Sequence, residues 1–101
     1  MNINVIKTEV QTVTQQEQAR IFVHTPFCGT CQLAEKMLLA VEAVTGQEYY
    51  HKLNASLFPD FMQENKIESV PCLITFKQGE VQEKIYAFHS VQHMLAKTLS
   101  E

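Results

Sequence analysis

The sequence has few of the residues that interrupt or cross-link a chain: three cysteines, three glycines and three prolines among 101 residues. Three cysteines are too few for a scaffold held together by disulfides. The glycines and prolines stand singly between periodic segments, and no repeat or low-complexity segment divides the chain. We therefore expect one continuous domain over residues 1–101.

Positive charge and long apolar runs are also scarce. Eight basic residues against eleven acidic ones give a net charge of −3, without a basic patch for nucleic acid or for a membrane surface. No apolar run approaches the roughly 18 residues of a transmembrane helix. The opening MNINVIKTEVQ lacks the basic and apolar regions of a signal peptide. These absences predict a soluble, cytoplasmic protein, and 46% hydrophobic residues suffice for one small core.

The apolar pattern predicts alternating strands and helices. A short strand at Ile3 to Ile6 and a weak helix in residues 8–19 precede the strand RIFVHT. Helical spacing from Cys28 to Val44, stopped by Gly46, predicts the longest helix. The remaining elements are a strand in residues 48–55, a short helix at Phe58 to Asn65, two strands joined by a tight turn at Lys77 to Glu80, and a last helix capped by Ser90. Helices between strands favour parallel pairs and the tight turn forces an antiparallel pair, so we expect a mixed sheet.

Two of the cysteines, Cys28 and Cys31, share the first turn of the longest helix. Disulfide exchange requires a thiolate, and a free cysteine with a pKa of about 8.5 supplies little of it at neutral pH. The free N–H groups and the dipole at a helix N-terminus stabilise a negative sulfur on Cys28, which we assign as the nucleophile. Cys31 faces the core one turn later, so we assign it as the resolving cysteine that attacks the mixed disulfide.

Three motifs follow one another along the chain: the Cys-x-x-Cys that opens a helix after a strand, KLN at Lys52 to Asn54, and SVPCLITFKQGE around Pro71. Together they resemble the thioredoxin family. The resemblance covers nearly the whole chain. It implies an α/β thioredoxin fold, a central mixed five-stranded sheet flanked by four helices, with a cis-proline, Pro71, facing the two cysteines.

The resemblance also implies how a partner binds. Val70, the residue before the cis-proline, would pair with the partner backbone. Phe27 would add to an apolar rim around the sulfur, and Gly29 would let the partner chain pass close to it. Thr30 lies between the cysteines and completes this surface.

The function implied is that of a thiol–disulfide oxidoreductase, a protein-disulfide reductase acting on disulfides of cytoplasmic proteins. It would be a monomer that uses no cofactor except its own redox-active disulfide. A thioredoxin reductase or a low-molecular-weight thiol would supply its electrons. The resemblance implies that the protein binds no metal, no nucleic acid and no membrane.

The sequence departs from the family beside the cysteines, where Phe27 and Thr30 replace the usual tryptophan and proline. Thr30 restores a backbone N–H near the Cys28 sulfur, and its hydroxyl is a further donor. Both favour the thiolate, and therefore the reduced form. We expect a reduction potential less negative than the roughly −270 mV of thioredoxin.

A second departure is Phe22, which stands where the family has a buried aspartate that takes the proton of the resolving cysteine. Lys52, the usual partner of that aspartate, would then have an apolar neighbour; it either tunes the pKa of the site or extends to solvent. His24, two residues beyond Phe22, is either a base toward Cys31 or a packed histidine bonded to Ser56.

Three alternatives stay open. Cys72, next to Pro71, is a buried small hydrophobe or a third redox thiol. The two cysteines could bind a metal with His24, or share an iron–sulfur cluster across a dimer. The chain could also be an interaction module with a vestigial dithiol, because the aspartate is missing and the expected glycine of the partner groove is replaced near Tyr86.

Overall fold

The computed structural model describes Met1 and residues 10–100, which contain four strands and four α-helices. In chain order the elements are α1 (Val10–Thr14), β1 (Gln18–His24), α2 (Gly29–Thr45), β2 (His51–Asn54), a 3-10 turn (Ala55–Leu57), α3 (Pro59–Glu64), β3 (Cys72–Lys77), β4 (Glu80–Ile85) and α4 (Val91–Ser100). These residues hold four of the five predicted strands. The fifth, placed at Ile3 to Ile6, lies outside the described residues.

The four strands form one mixed sheet in the order β2-β1-β3-β4. β1 pairs parallel with β2, as the helix between them predicts, and β3 and β4 form the predicted antiparallel hairpin. The second crossover differs from the prediction of parallel pairs. It carries the chain from β2 across β1 to the far side of β1, where β3 lies antiparallel to β1.

Both faces of the central strands are buried, which explains their nearly continuous apolar sequences. Alternate residues of β1 point to opposite faces, so Ile21 and Val23 join a core with α1 and α3. Phe22 joins a second core with α2 and α4, together with Leu38 and Met94. The sheet is therefore the middle of three layers.

Helix α2 owes its limits to local chemistry. Its apolar residues recur every three or four positions and face the sheet. Gly46 ends it in the left-handed conformation (φ 71°), and the Gly46 N–H donates to Glu42 O at 2.8 Å. The buried carboxylate of Glu42 accepts the backbone N–H groups of Tyr49 and Tyr50 at 2.8 and 3.3 Å, which ties the following turn to the helix.

The antiparallel register of β1 and β3 positions the functional site. Val23 lies opposite Cys72, so the start of β3 meets the end of β1. The N-terminus of α2 lies at the same end of these strands, because the end of β1 leads directly into α2. Within Met1 and residues 10–100, none of the helices has the length and apolar character that crossing a membrane requires.

Candidate active site

Cys28 occupies the N-cap of α2. Its backbone is extended (φ −106°, ψ 106°), and its sulfur accepts a hydrogen bond from the Cys31 backbone N–H, with 3.1 Å between N and Sγ. The Thr30 hydroxyl oxygen lies 3.4 Å from the same sulfur. These donors add to the positive end of the helix dipole, so the site stabilises negative charge on Cys28.

Cys28 and Cys31 form a disulfide, with their Cα atoms 5.1 Å apart. The two sulfurs differ in access, because Cys28 is half-buried and Cys31 is only 3% exposed. A thiol or disulfide of another protein therefore reaches Cys28 first. This difference is what separates an attacking cysteine from a resolving one.

The peptide bond between Val70 and Pro71 is cis, which confirms the expectation drawn from the resemblance. Both residues are partly buried at the start of β3. Pro71 lines a groove together with Thr30, which places it on the side of the site where the cysteines lie.

This groove is mainly apolar, has a volume of about 410 Å³ and extends along α2. One wall is formed by Thr30, Leu33 and Met37, and the other by Pro71, Tyr86 and Phe88. Tyr86 and Phe88 give the groove an aromatic wall in the segment where the resemblance led us to expect a glycine. Leu33 is 57% exposed and so offers apolar surface to a partner.

Phe27 precedes Cys28 and is fully exposed. Its φ of 61° is left-handed, a conformation that costs a bulky residue roughly 1–2 kcal/mol. On the other side of Cys28, a Cβ added to Gly29 would meet nothing within 4 Å. The space beside the sulfur is therefore open.

Lys52 has an acidic partner that the sequence analysis missed. Its ammonium lies 2.9 Å from Oε1 and 3.0 Å from Oε2 of Glu35, so the carboxylate is held through both oxygens. Phe22, the apolar neighbour expected from the sequence, is in register with Lys52, and the acid is an additional partner that comes from helix α2 rather than from strand β1. The signal for it was the position of Glu35 four residues after Cys31, on the same side of the helix.

His24 stacks on Phe22, with 5.9 Å between ring centroids and 10° between the planes. Burial lowers the pKa of His24 below its ordinary 6.5, and the Lys52 ammonium lowers it further. The Glu35 carboxylate and a hydrogen bond with the backbone of Thr25 act in the opposite direction. The imidazole is thus electrostatically linked to the Lys52–Glu35 pair. Ser56, the other partner considered, is exposed and its N–H donates to Asn54 Oδ1.

Cys72 is fully buried. It lies at the start of β3, opposite Val23 of β1, and packs in the core that also contains residues of α1 and α3. Burial raises the pKa of its thiol to about 12, while a hydrogen bond with Tyr86 and the charge of Lys84 oppose the rise. Such a thiol is chemically inert at neutral pH.

The described residues offer little to a metal. Among Met1 and residues 10–100, no three His, Cys, Asp or Glu side chains stand close enough to hold one ion. A larger groove of about 620 Å³ lies between α1 and α3, lined by Phe58, Phe61 and Phe76 among others. The smaller groove is the one lined by Thr30, which lies between the two cysteines in the chain, and by Pro71, so we associate the disulfide with the smaller groove.

Comparison with known proteins agrees with this geometry. The family model described as Thioredoxin matches residues 3–101. The thioredoxin-like protein YusE of Bacillus subtilis (strain 168) is 45% identical over 74 residues, which are 73% of this chain and 70% of that protein.

Solved structures establish the fold. Oxidised mitochondrial thioredoxin 3 from Saccharomyces cerevisiae superimposes with a TM-score of 0.77 at 18% identity, covering 93% of this chain and 89% of that one. Human ERp44 gives a TM-score of 0.81 at 13% identity, covering 97% of this chain but only 32% of that one. The same unit thus occurs both as most of a small protein and as part of a larger one.

Proposed function

The chain belongs to the thioredoxin family, and from that premise we propose that it is a protein-disulfide reductase acting on disulfides of cytoplasmic proteins. The observation that carries the proposal is the Cys28–Cys31 pair at the N-terminus of α2, with one sulfur accessible and the other buried.

The reaction begins with attack of the Cys28 thiolate on a partner disulfide. A Cys28–partner mixed disulfide forms, and the other partner sulfur leaves as a thiolate. Cys31 then loses its proton and attacks Cys28 Sγ, which forms the intramolecular disulfide and releases the second partner thiolate. The partner disulfide gains two electrons and the dithiol loses two.

Partner binding falls to the surface around Cys28. Phe27 is exposed beside the sulfur, and Thr30 and Pro71 line the groove that starts there. Val70, which precedes the cis-proline, pairs with the backbone of an extended partner segment in this proposal, and Gly29, where an added Cβ would meet nothing within 4 Å, admits that segment. A thioredoxin reductase or a low-molecular-weight thiol returns the disulfide to the dithiol, and the protein works as a monomer without another cofactor.

Trapping tests the proposal. In Cys31→Ser the mixed disulfide on Cys28 cannot resolve, so this variant expressed in cells should retain partners that reducing agent releases. The matched control is Cys28→Ser/Cys31→Ser, which keeps the surface and removes the nucleophile. Partners bound equally by the control would identify an interaction module instead, and an absence of reducible partners would overturn the reductase.

A further inference from the structure

A partly buried ion pair joins helix α2 to strand β2 next to the dithiol. Lys52 Nζ contacts both carboxylate oxygens of Glu35, and the side chains are only 26% and 27% exposed. Contact through both oxygens at low exposure restrains the two side chains more than a surface pair does. The pair therefore presents two fixed charges to its surroundings.

The pair lies on the face of the sheet that carries the dithiol. Glu35 follows Cys31 by four residues, and helical side chains lean toward the N-terminus, so its carboxylate is directed toward the turn of Cys31. Lys52 is in register with Phe22, against which His24 stacks. One region between α2, β1 and β2 thus contains the Glu35 carboxylate, the Lys52 ammonium and the His24 imidazole.

We propose that Glu35 and Lys52 are positioning residues that set the charge state of His24, and that the His24 imidazole takes the proton of Cys31 when the mixed disulfide resolves. The inference rests on the proposed function. In this proposal, His24, Lys52 and Glu35 together replace the aspartate that is missing from strand β1 as the group that removes the proton of Cys31.

The step balances as follows. The Cys31 S–H bond breaks and its proton moves to a ring nitrogen of neutral His24. The Cys31 electron pair forms the bond to Cys28 Sγ, and the Cys28–partner bond breaks with its electron pair leaving on the partner sulfur. His24 afterwards returns its proton to solvent or to the departing thiolate.

The charges around His24 have opposite effects on it. The charged groups that act on it are Lys52 from β2 and Glu35 from α2, and the chain leads from His24, the last residue of β1, to the dithiol at the start of α2. Burial and Lys52 lower the pKa of His24, which keeps the imidazole neutral and able to accept a proton at neutral pH. Glu35 raises the pKa and so stabilises the imidazolium that forms.

The test separates the two chemical steps with the aromatic disulfide dithiobis(nitrobenzoate). Attack by Cys28 of the reduced protein releases one coloured thiolate, and closure by Cys31 releases the second. Stopped-flow measurement of the second phase from about pH 5 to about pH 8 gives the pH midpoint of resolution. A missing first phase would refute the proposed function, whereas the second phase tests only the network.

The variants are Glu35→Gln, Lys52→Gln and His24→Phe. Removing Glu35 leaves Lys52 unopposed and lowers the pKa of His24, so the midpoint should move to lower pH. Removing Lys52 should move it to higher pH, and Lys52→Arg should bring it back toward wild type. His24→Phe should slow the second phase on the order of 100-fold near neutral pH and remove the midpoint.

The matched control is Glu83→Gln, which breaks the Lys97–Glu83 pair. Glu83 is level with Arg20, two strands and four residues from His24, or about 10 Å across and about 13 Å along the sheet. The titration of His24 in each reduced variant, followed by NMR, should show the same opposite shifts. Shifts in one direction for both variants, no shifts, or equal shifts in the control would overturn the inference.

Discussion

The backbone N–H of Cys31 donates to the sulfur of Cys28, with 3.1 Å between the two atoms. In the proposed mechanism Cys31 therefore has two tasks, because its amide stabilises negative charge on the Cys28 sulfur before its own sulfur attacks that atom. The Thr30 hydroxyl stands 3.4 Å from the same sulfur and adds a side-chain donor. The reduction potential should depend on how many of these donors remain.

Replacing Thr30 with valine keeps its backbone N–H and removes its hydroxyl. We expect the potential to become more negative by roughly 10–30 mV, because a hydrogen bond of about 0.5–1.5 kcal/mol to the thiolate is lost. Equilibration with glutathione measures this. Thr45→Val, which removes a hydroxyl bonded to Val41 O in the same helix, is the control and should leave the potential unchanged. An unchanged or less negative value in Thr30→Val would contradict the role of the hydroxyl.

The sequence could predict those parts of the site that lie within continuous motifs. The turn of Cys28 and Cys31, the strand that begins after Pro71 and the hairpin around Gly79 each depend on residues close together in the chain. The Lys52–Glu35 pair could not be predicted in this way, because it joins residues 17 positions apart on different elements.

Other features were unpredictable for different reasons. The left-handed φ of Phe27 opposes the intrinsic preference of a bulky residue, so the residue type gives no signal for it. The direction of β3 follows from how the chain crosses β1 on its way from β2 to β3, and helix and strand periodicity does not encode that path. The pattern of apolar residues therefore predicted where the helices and strands lie better than it predicted which strands pair and in which direction.

Tyr50 and Thr98 should stabilise the fold as a unit. Their hydroxyl oxygens are 2.6 Å apart, and both side chains are buried, one before β2 and the other on α4. Tyr50→Phe and Thr98→Val should each lower the free energy of unfolding by about 1–2 kcal/mol, because a buried hydroxyl loses its partner. Urea denaturation of the double variant should show a coupling of about 1 kcal/mol. Strictly additive losses would show that the hydroxyls do not act on each other.

Cys72 should not react in the native, reduced protein. With a pKa of about 12, only about one thiol in 10,000 is ionised at a pH of about 8, and the side chain is buried. Iodoacetamide followed by peptide mass analysis should label Cys28 and leave Cys72 unlabelled, whereas both should react in urea. Labelling of native Cys72 at a rate similar to that of Cys28 would instead support a third redox thiol.

Phe27 should contribute to partner binding and not to stability. Phe27→Gly removes no buried contact and relieves the left-handed strain, so the thermal midpoint should stay the same or rise. The variant should lose about tenfold or more in kcat/KM toward a protein disulfide, since a ring buried on a partner contributes about 1.5–3 kcal/mol. Its rate with a small disulfide should not change. Val44→Ser, also exposed but about 24 Å along α2 from Cys28, should affect neither rate. Equal losses with both substrates would mean that Phe27 acts on the sulfur itself rather than on the partner.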